Sequence, residues 1–137
     1  MMLVDSSVWI DFFAARPTPQ TDMLRASLGK RRVLAADLVI VEVLQGVRSD
    51  HAFALTRDLL LTLDIVDVAG AEVAVEAAQN YRFLRGKGIT VRKTIDTLIA
   101  TRCILDRLPL LYSDRDFDPF VAHLGLRSVM DVPTGVA

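Results

Sequence analysis

Apolar residues recur along the chain in two kinds of run, and the alternation between them predicts the fold. Short apolar runs at 2–4, 33–36, 65–68 and 110–112, interrupted only by Asp67, have the length and aliphatic content of strands in a covered sheet. Between them lie longer stretches whose apolar positions fall at helical spacing, over 7–15, 20–29, 38–48, 51–63, 71–85, 94–107 and 116–124. The punctuation agrees with this reading. Pro17 and Pro19 stop the first helix, Asp37 reads as the N-cap of the third, and Gly86 and Gly88 close the alanine-rich fifth. Thr94 reads as the cap of the sixth, and Pro109 separates that helix from the last main strand. A further edge strand is expected near 127–129, and the tail 133–137 is expected to be loose. Strands alternating with helices predict one α/β domain over 1–132, with a parallel sheet covered on both faces.

Composition narrows the picture further. A hydrophobic fraction of 52% beside 24% charged residues excludes a disordered chain. Sixteen basic residues against 17 acids leave a net charge of −1, so the chain is no general polyanion binder. Any nucleic-acid contact must come from local clustering. The single cysteine, Cys103, excludes a disulfide framework and a Cys-rich zinc site, and reads as a small core residue. No apolar run approaches the ~20 residues needed to cross a bilayer. Asp5 and Asp11 interrupt what would be the apolar segment of a signal peptide, so a cytoplasmic protein with no membrane contact is expected.

Four acids stand in settings that suggest chemistry. Asp5 ends the first strand and Asp114 follows the last, and strand ends of a parallel sheet share one edge where ligands gather. Glu42 sits in a helix whose neighbours Leu38, Val39, Ile40, Val41, Val43 and Leu44 leave almost no polar face. An ionised carboxylate there needs a metal, a partner arginine or an exposed edge. Asp96 falls in a first helical turn, where an acid also complements the helix dipole. Asp116 and Asp118 can equally cap the last helix. Clustered carboxylates repel unless a cation neutralises them, and an all-oxygen set suits magnesium or manganese. Such a centre serves phosphodiester hydrolysis. His51 and His123 fall outside these segments, so a water activated by the metal takes the place of a side-chain base.

Segment 82–93 holds five basic residues and no acid and leads directly to Asp96. Basic side chains there can hold a nucleic-acid backbone, Arg92 and Lys93 lying nearest the acids and Arg85 and Lys87 further back. A helix C-terminus favours basic residues for its own reasons. Lys30, Arg31 and Arg32 read as a solvated turn. Trp9, Phe12 and Phe13 cannot all face one core, which leaves one of them for a partner.

The segments Leu3-Val4-Asp5-Ser6-Ser7, Glu42-Val43-Leu44-Gln45-Gly46, Thr94-Ile95-Asp96-Thr97-Leu98-Ile99-Ala100 and Leu111-Tyr112-Ser113-Asp114-Arg115-Asp116-Phe117 resemble, in order, the motifs of PIN-domain ribonucleases. They are most similar to the VapC toxins of bacterial type II toxin–antitoxin modules. The resemblance implies a three-layer α/β/α domain and magnesium-dependent endonucleolytic cleavage of RNA, with tRNA and rRNA as candidate substrates. It also implies a VapB antitoxin that blocks the site, with a basic residue reaching the carboxylates, and a toxin homodimer. Carried over by position, Asp5, Asp96 and Asp114 match metal-binding acids, Glu42 completes the catalytic set, and Asp116 matches a further acid. Ser6 and Ser113 match hydroxyl residues that orient carboxylates or waters. Three other readings stand beside this one. An aspartyl phosphotransferase would use Asp5 as nucleophile, but its second acid is replaced by Ser7. A PIN nuclease could serve RNA maturation without an antitoxin, and a PIN-like module could bind without catalysis.

Overall fold

Every position of the first two strands is buried, as expected of a sheet covered on both faces. The computed structural model describes residues 1–131. In chain order the elements are β1 (Met2–Val4), α1 (Ser6–Phe13), α2 (Pro19–Ser27), β2 (Val33–Ala36), α3 (Asp37–Gln45) and α4 (Asp50–Leu61). There follow β3 (Asp64–Val66), α5 (Ala71–Gly86), α6 (Thr94–Asp106), β4 (Leu110–Leu111) and α7 (Asp118–Leu124). Short 3-10 turns at Arg115–Phe117 and Val129–Asp131 flank α7. The strands form one parallel sheet in the order β3-β2-β1-β4, with Leu3 opposite both Leu34 and Leu110. Helices flank it, so the architecture is the predicted α/β/α sandwich.

This order is what positions the site. The chain starts in the middle at β1, moves outward through β2 to β3, and then returns to place β4 on the other side of β1. Parallel crossovers share one hand, so reversing the direction of travel places helices on opposite faces and opens a crevice between β1 and β4. The packing divides accordingly. α1 lies against α2 and α3, and α3 against α4, whereas α5 packs on α6 and α7. Trp9, Leu24, Leu60, Leu84, Ile99, Phe117 and Phe120 are completely buried around the sheet, each contributing about 1.5–3 kcal/mol by removal from water.

Several boundaries differ from the sequence reading. The N-cap position of α3 belongs to Ala36, and Asp37 is the first helical residue. Its Oδ1 accepts from the amides of Leu38 at 2.8 Å and Val68 at 3.0 Å, tying the helix start to the chain leaving β3. Thr94 likewise lies inside α6, whose N-cap, Lys93, makes no side-chain capping bond. Gly86 remains helical and it is Gly88, at φ +80°, that takes the left-handed turn. The helix predicted at 116–124 is divided. Pro119 has no amide hydrogen to donate and is tolerated only in a first turn, so α7 starts at Asp118. The edge strand expected at 127–129 is reduced to one parallel bridge between Ser128 and Leu110. β3 is the exception to full strand burial, with Asp64 and Ile65 exposed at the sheet edge. Residues 132–137, including the tail read as loose, lie outside the described residues. Among the described residues no helix is long and apolar enough to cross a membrane.

Candidate metal centre

Leaving β1 and β4 side by side, the chain delivers Asp5 and Ser113-Asp114 to the same edge of the sheet. The Asp5 amide donates to the Leu111 carbonyl at 2.9 Å, holding the two strand ends in register. Asp5 is the N-cap of α1. Its Oδ2 accepts from the Ser7 amide at 3.0 Å and from the Ser7 hydroxyl at 2.6 Å. The Ser113 amide in turn donates to Ser7 Oγ at 3.1 Å, so one serine links the acid to the end of β4. The other oxygen of Asp5, Oδ1, is buried and has no hydrogen-bond partner among the described residues.

Asp96 enters from the first turn of α6 and is only 3% exposed. Its Oδ2 is also buried without a partner among the described residues. Glu42 comes from half-buried α3, where Val39 and Val43 face the core while Val41 is 54% exposed. The nearly all-round burial expected of this helix is therefore not found. Glu42 sits at the margin instead, and its Oε1 accepts from Ser6 Oγ at 3.2 Å. Donor oxygens of Asp5, Glu42 and Asp96 lie within 4.8 Å of one another, as do those of Asp96, Asp114 and Asp116. Asp96 belongs to both groups. Asp114 accepts the Asp116 amide on Oδ1 at 2.9 Å and faces Lys93 Nζ at 3.8 Å through Oδ2. Asp116 faces Arg92 Nη2 at 3.7 Å.

The electrostatics follow from burial and crowding. Desolvation pushes the Asp5 carboxyl up, hydrogen bonds from Ser7 and the Ser6 backbone oppose it, and the charge of Asp114 adds to the rise. Glu42 is raised by burial and then by Asp5. Asp96 is raised to about 7, first by burial and then by Asp5, with Lys93 opposing and Asp114 and Glu42 adding. Two buried carboxylate oxygens without donors, in a cluster whose members raise one another, fit a hard divalent cation. Its charge would offset both the desolvation and the repulsion.

The structure thus gathers Asp5, Ser6, Glu42, Asp96, Ser113, Asp114 and Asp116 at one place, with Arg92 and Lys93 beside them. Arg85 and Lys87 behave differently. They lie over the rings of Tyr81 and Phe83 at the end of α5 and, among the described residues, pair with none of these acids. His51 and His123 belong to neither acid group. In the aromatic trio Trp9 is fully buried and Phe13 is the exposed member, stacked on Trp9. The sequence reading missed Ser7 as a functional residue. Its one local signal is a hydroxyl two residues after a strand-end acid that caps a helix; the bond to Ser113 has no local signal at all.

Comparison with known proteins agrees with the geometry. The sequence matches the PIN domain over residues 2–120. A VapC ribonuclease of Mycobacterium bovis and the ribonuclease VapC11 of Mycobacterium tuberculosis are each 30% identical to it over 120 residues, or 86% of this chain and 90% of the relative. Among solved structures, VapBC2 from Rickettsia felis bound to a DNA fragment from their promoter superposes with a TM-score of 0.74. The two are 17% identical, over 93% of this chain and 96% of that one. A toxin–antitoxin complex from Klebsiella pneumoniae gives 0.69 at 20% identity, over 93% and 97% of the respective chains.

Proposed function

The chain belongs to the PIN-domain family, and from that premise we propose that it is a divalent-metal-dependent endoribonuclease, the toxin of a VapBC-type toxin–antitoxin module. The observation that carries this reading is the pair of buried carboxylate oxygens, Asp5 Oδ1 and Asp96 Oδ2, that have no partner among the described residues and lie inside a cluster of five acids. Asp5, Glu42 and Asp96 would hold the ion, with Asp114 and Asp116 completing the cluster on the other side of Asp96. Magnesium or manganese bound there supplies Lewis-acid stabilisation of the charge that develops on phosphate oxygens during hydrolysis.

The chain's own residues have separate parts. Ser7 fixes the orientation of Asp5 through two hydrogen bonds, and Ser6 holds Glu42. Lys93 and Arg92, at the more exposed acids, offer charged donors to the phosphate of an incoming strand. The antitoxin is supported by the VapBC name of the Rickettsia felis neighbour and by chemistry, since an arginine placed among these acids would replace the charge of the ion. Exposed Ile10 and Phe13 on α1 offer apolar surface for such a partner. The same reading includes a homodimer, to be checked by light scattering, and a cytoplasmic location, where tRNA and rRNA are found.

The test is cleavage of total small RNA by purified protein, wild type beside Asp96→Asn, with magnesium, with manganese and with chelator. Discrete fragments that require metal and disappear in the variant are expected. Equal cutting by the variant, or cutting in chelator, would remove the acidic cluster from the reaction.

A further inference from the structure

Resting on the ribonuclease reading, we infer that the polar pocket beside Ser113 is a subsite for one nucleobase next to the cleaved bond, with Arg115 as its specificity-determining residue. The pocket holds about 190 Å³, and its walls include Gln20, Tyr112, Ser113, Arg115, Asp118 and Met130. It draws on the start of α2, the two residues that follow β4, the 3-10 turn at Arg115–Phe117, the start of α7 and the 3-10 turn at Val129–Asp131. Ser113 and Arg115 are the chain neighbours of Asp114, so the pocket begins one residue from the acids. A base lodged there belongs to a nucleotide adjoining the reacting phosphate.

Arg115 is set apart from the other cations near the site. Arg92 and Lys93 face Asp116 and Asp114. Arg115 lies between those same acids in sequence, yet among the described residues it makes no ion pair and no side-chain hydrogen bond. Its five donors are therefore uncommitted. Ser113 Oγ, on the same wall, is buried and has no partner among the described residues. Asp118 adds an acceptor, oriented by the Tyr112 hydroxyl at 2.8 Å.

A carboxylate in the wall disfavours a second phosphate, while a guanidinium beside a carboxylate suits the mixed edge of a base. Guanine has the matching pattern on its Watson–Crick edge: O6 accepts from an arginine, and N1–H and the 2-amino group donate to an acid. Single-stranded RNA can splay a base out of its stack and present that edge to a protein pocket. Gln20, able to donate and accept, would complete the contact.

The experiment sequences the ends produced from a randomised single-stranded RNA in magnesium by wild type, Arg115→Ala, Arg115→Lys and Gln20→Ala, each with its melting curve. Wild type should show guanine enriched at one position flanking the cut. Arg115→Ala should lower that enrichment about tenfold, while cutting at the other bases persists, and Arg115→Lys should restore only part of it. An unchanged profile in Arg115→Ala, or equal slowing at every site, would overturn the subsite. An unchanged profile with weakened antitoxin binding would overturn it too, by assigning Arg115 to protein contact. Wild-type protein that cuts no RNA with either metal would instead sink the ribonuclease reading, and this inference with it.

Discussion

The two acid groups that share Asp96 use the same ligand chemistry and are neutralised in opposite ways. In the inner group Asp5 and Asp96 are buried, and the hydrogen bonds that Asp5 and Glu42 receive come from neutral donors, the hydroxyls and amides of serines. In the outer group Asp114 and Asp116 are half-buried, and each faces a cation of the protein, Lys93 or Arg92. Lysine and arginine keep their charged ends in water, so they pair with the acids on the open side of a crevice and reach its floor only through the longer-range pull of Lys93 on Asp96 and Glu42. The floor is left with charge that a small desolvated ion can match. A metal is therefore worth most at Asp5 and Asp96, whereas at Asp114 and Asp116 an ion or a phosphate meets cations already in place.

The largest expected difference is between two isosteric variants. Asp5→Asn should lower the cleavage rate at saturating magnesium about a thousandfold, the scale of several kcal/mol of lost charge stabilisation. Asp116→Asn should lower it only about tenfold, and equal losses in initial rates on one RNA would erase the distinction between the groups. Stability gives a second contrast. Asp96 titrates near 7 in the folded chain against an ordinary 3.8, so the folded state holds this proton more tightly. The associated stability is complete below the ordinary value and is lost as pH rises through the folded one. Metal-free wild type should melt at a lower temperature at about pH 8 than at about pH 6, and Asp96→Asn should flatten that slope. Magnesium should raise the melting point most at the higher pH, because binding requires the deprotonated carboxylate. Melting curves showing no dependence on pH or metal in this window would contradict the proposed state of Asp96. The smallest effect concerns the outer cations. Lys93→Ala should raise KM for RNA a few-fold and reduce the salt dependence of binding by about one unit of slope. A slope identical to wild type would make Lys93 a counter-ion of Asp114 and nothing more.

How much could be read without the fold varies from residue to residue. β2 is found at the predicted positions because an apolar run bounded by basic residues and Asp37 leaves few alternatives. α5 differs by one residue, since its alanine-rich sequence agrees with its packing. α7 starts late because of Pro119, a local signal that the apolar spacing alone did not register. Glu42 is legible only in part, since the apolar run around it predicts a buried helix whereas exposed Val41 shows that α3 turns one margin to solvent. The basic run 82–93 read as one feature. The turn at Gly88 separates Arg85 and Lys87, which rest on the end of α5, from Arg92 and Lys93, which reach the acids.

By itself the sequence determined the order of the main strands and helices, the parallel class of the sheet and which acids were candidates for the site. Each of these depends on short-range pattern: apolar period, caps, and acids placed next to strand ends. Only the tertiary structure decided that β4 returns beside β1, that Ser7 joins Asp5 to Ser113, and that Asp96 is common to two groups of carboxylates. The physical reason is that a carboxylate's desolvation and its distance from other charges belong to the packed molecule. No spacing along the chain encodes how closely four separate elements converge.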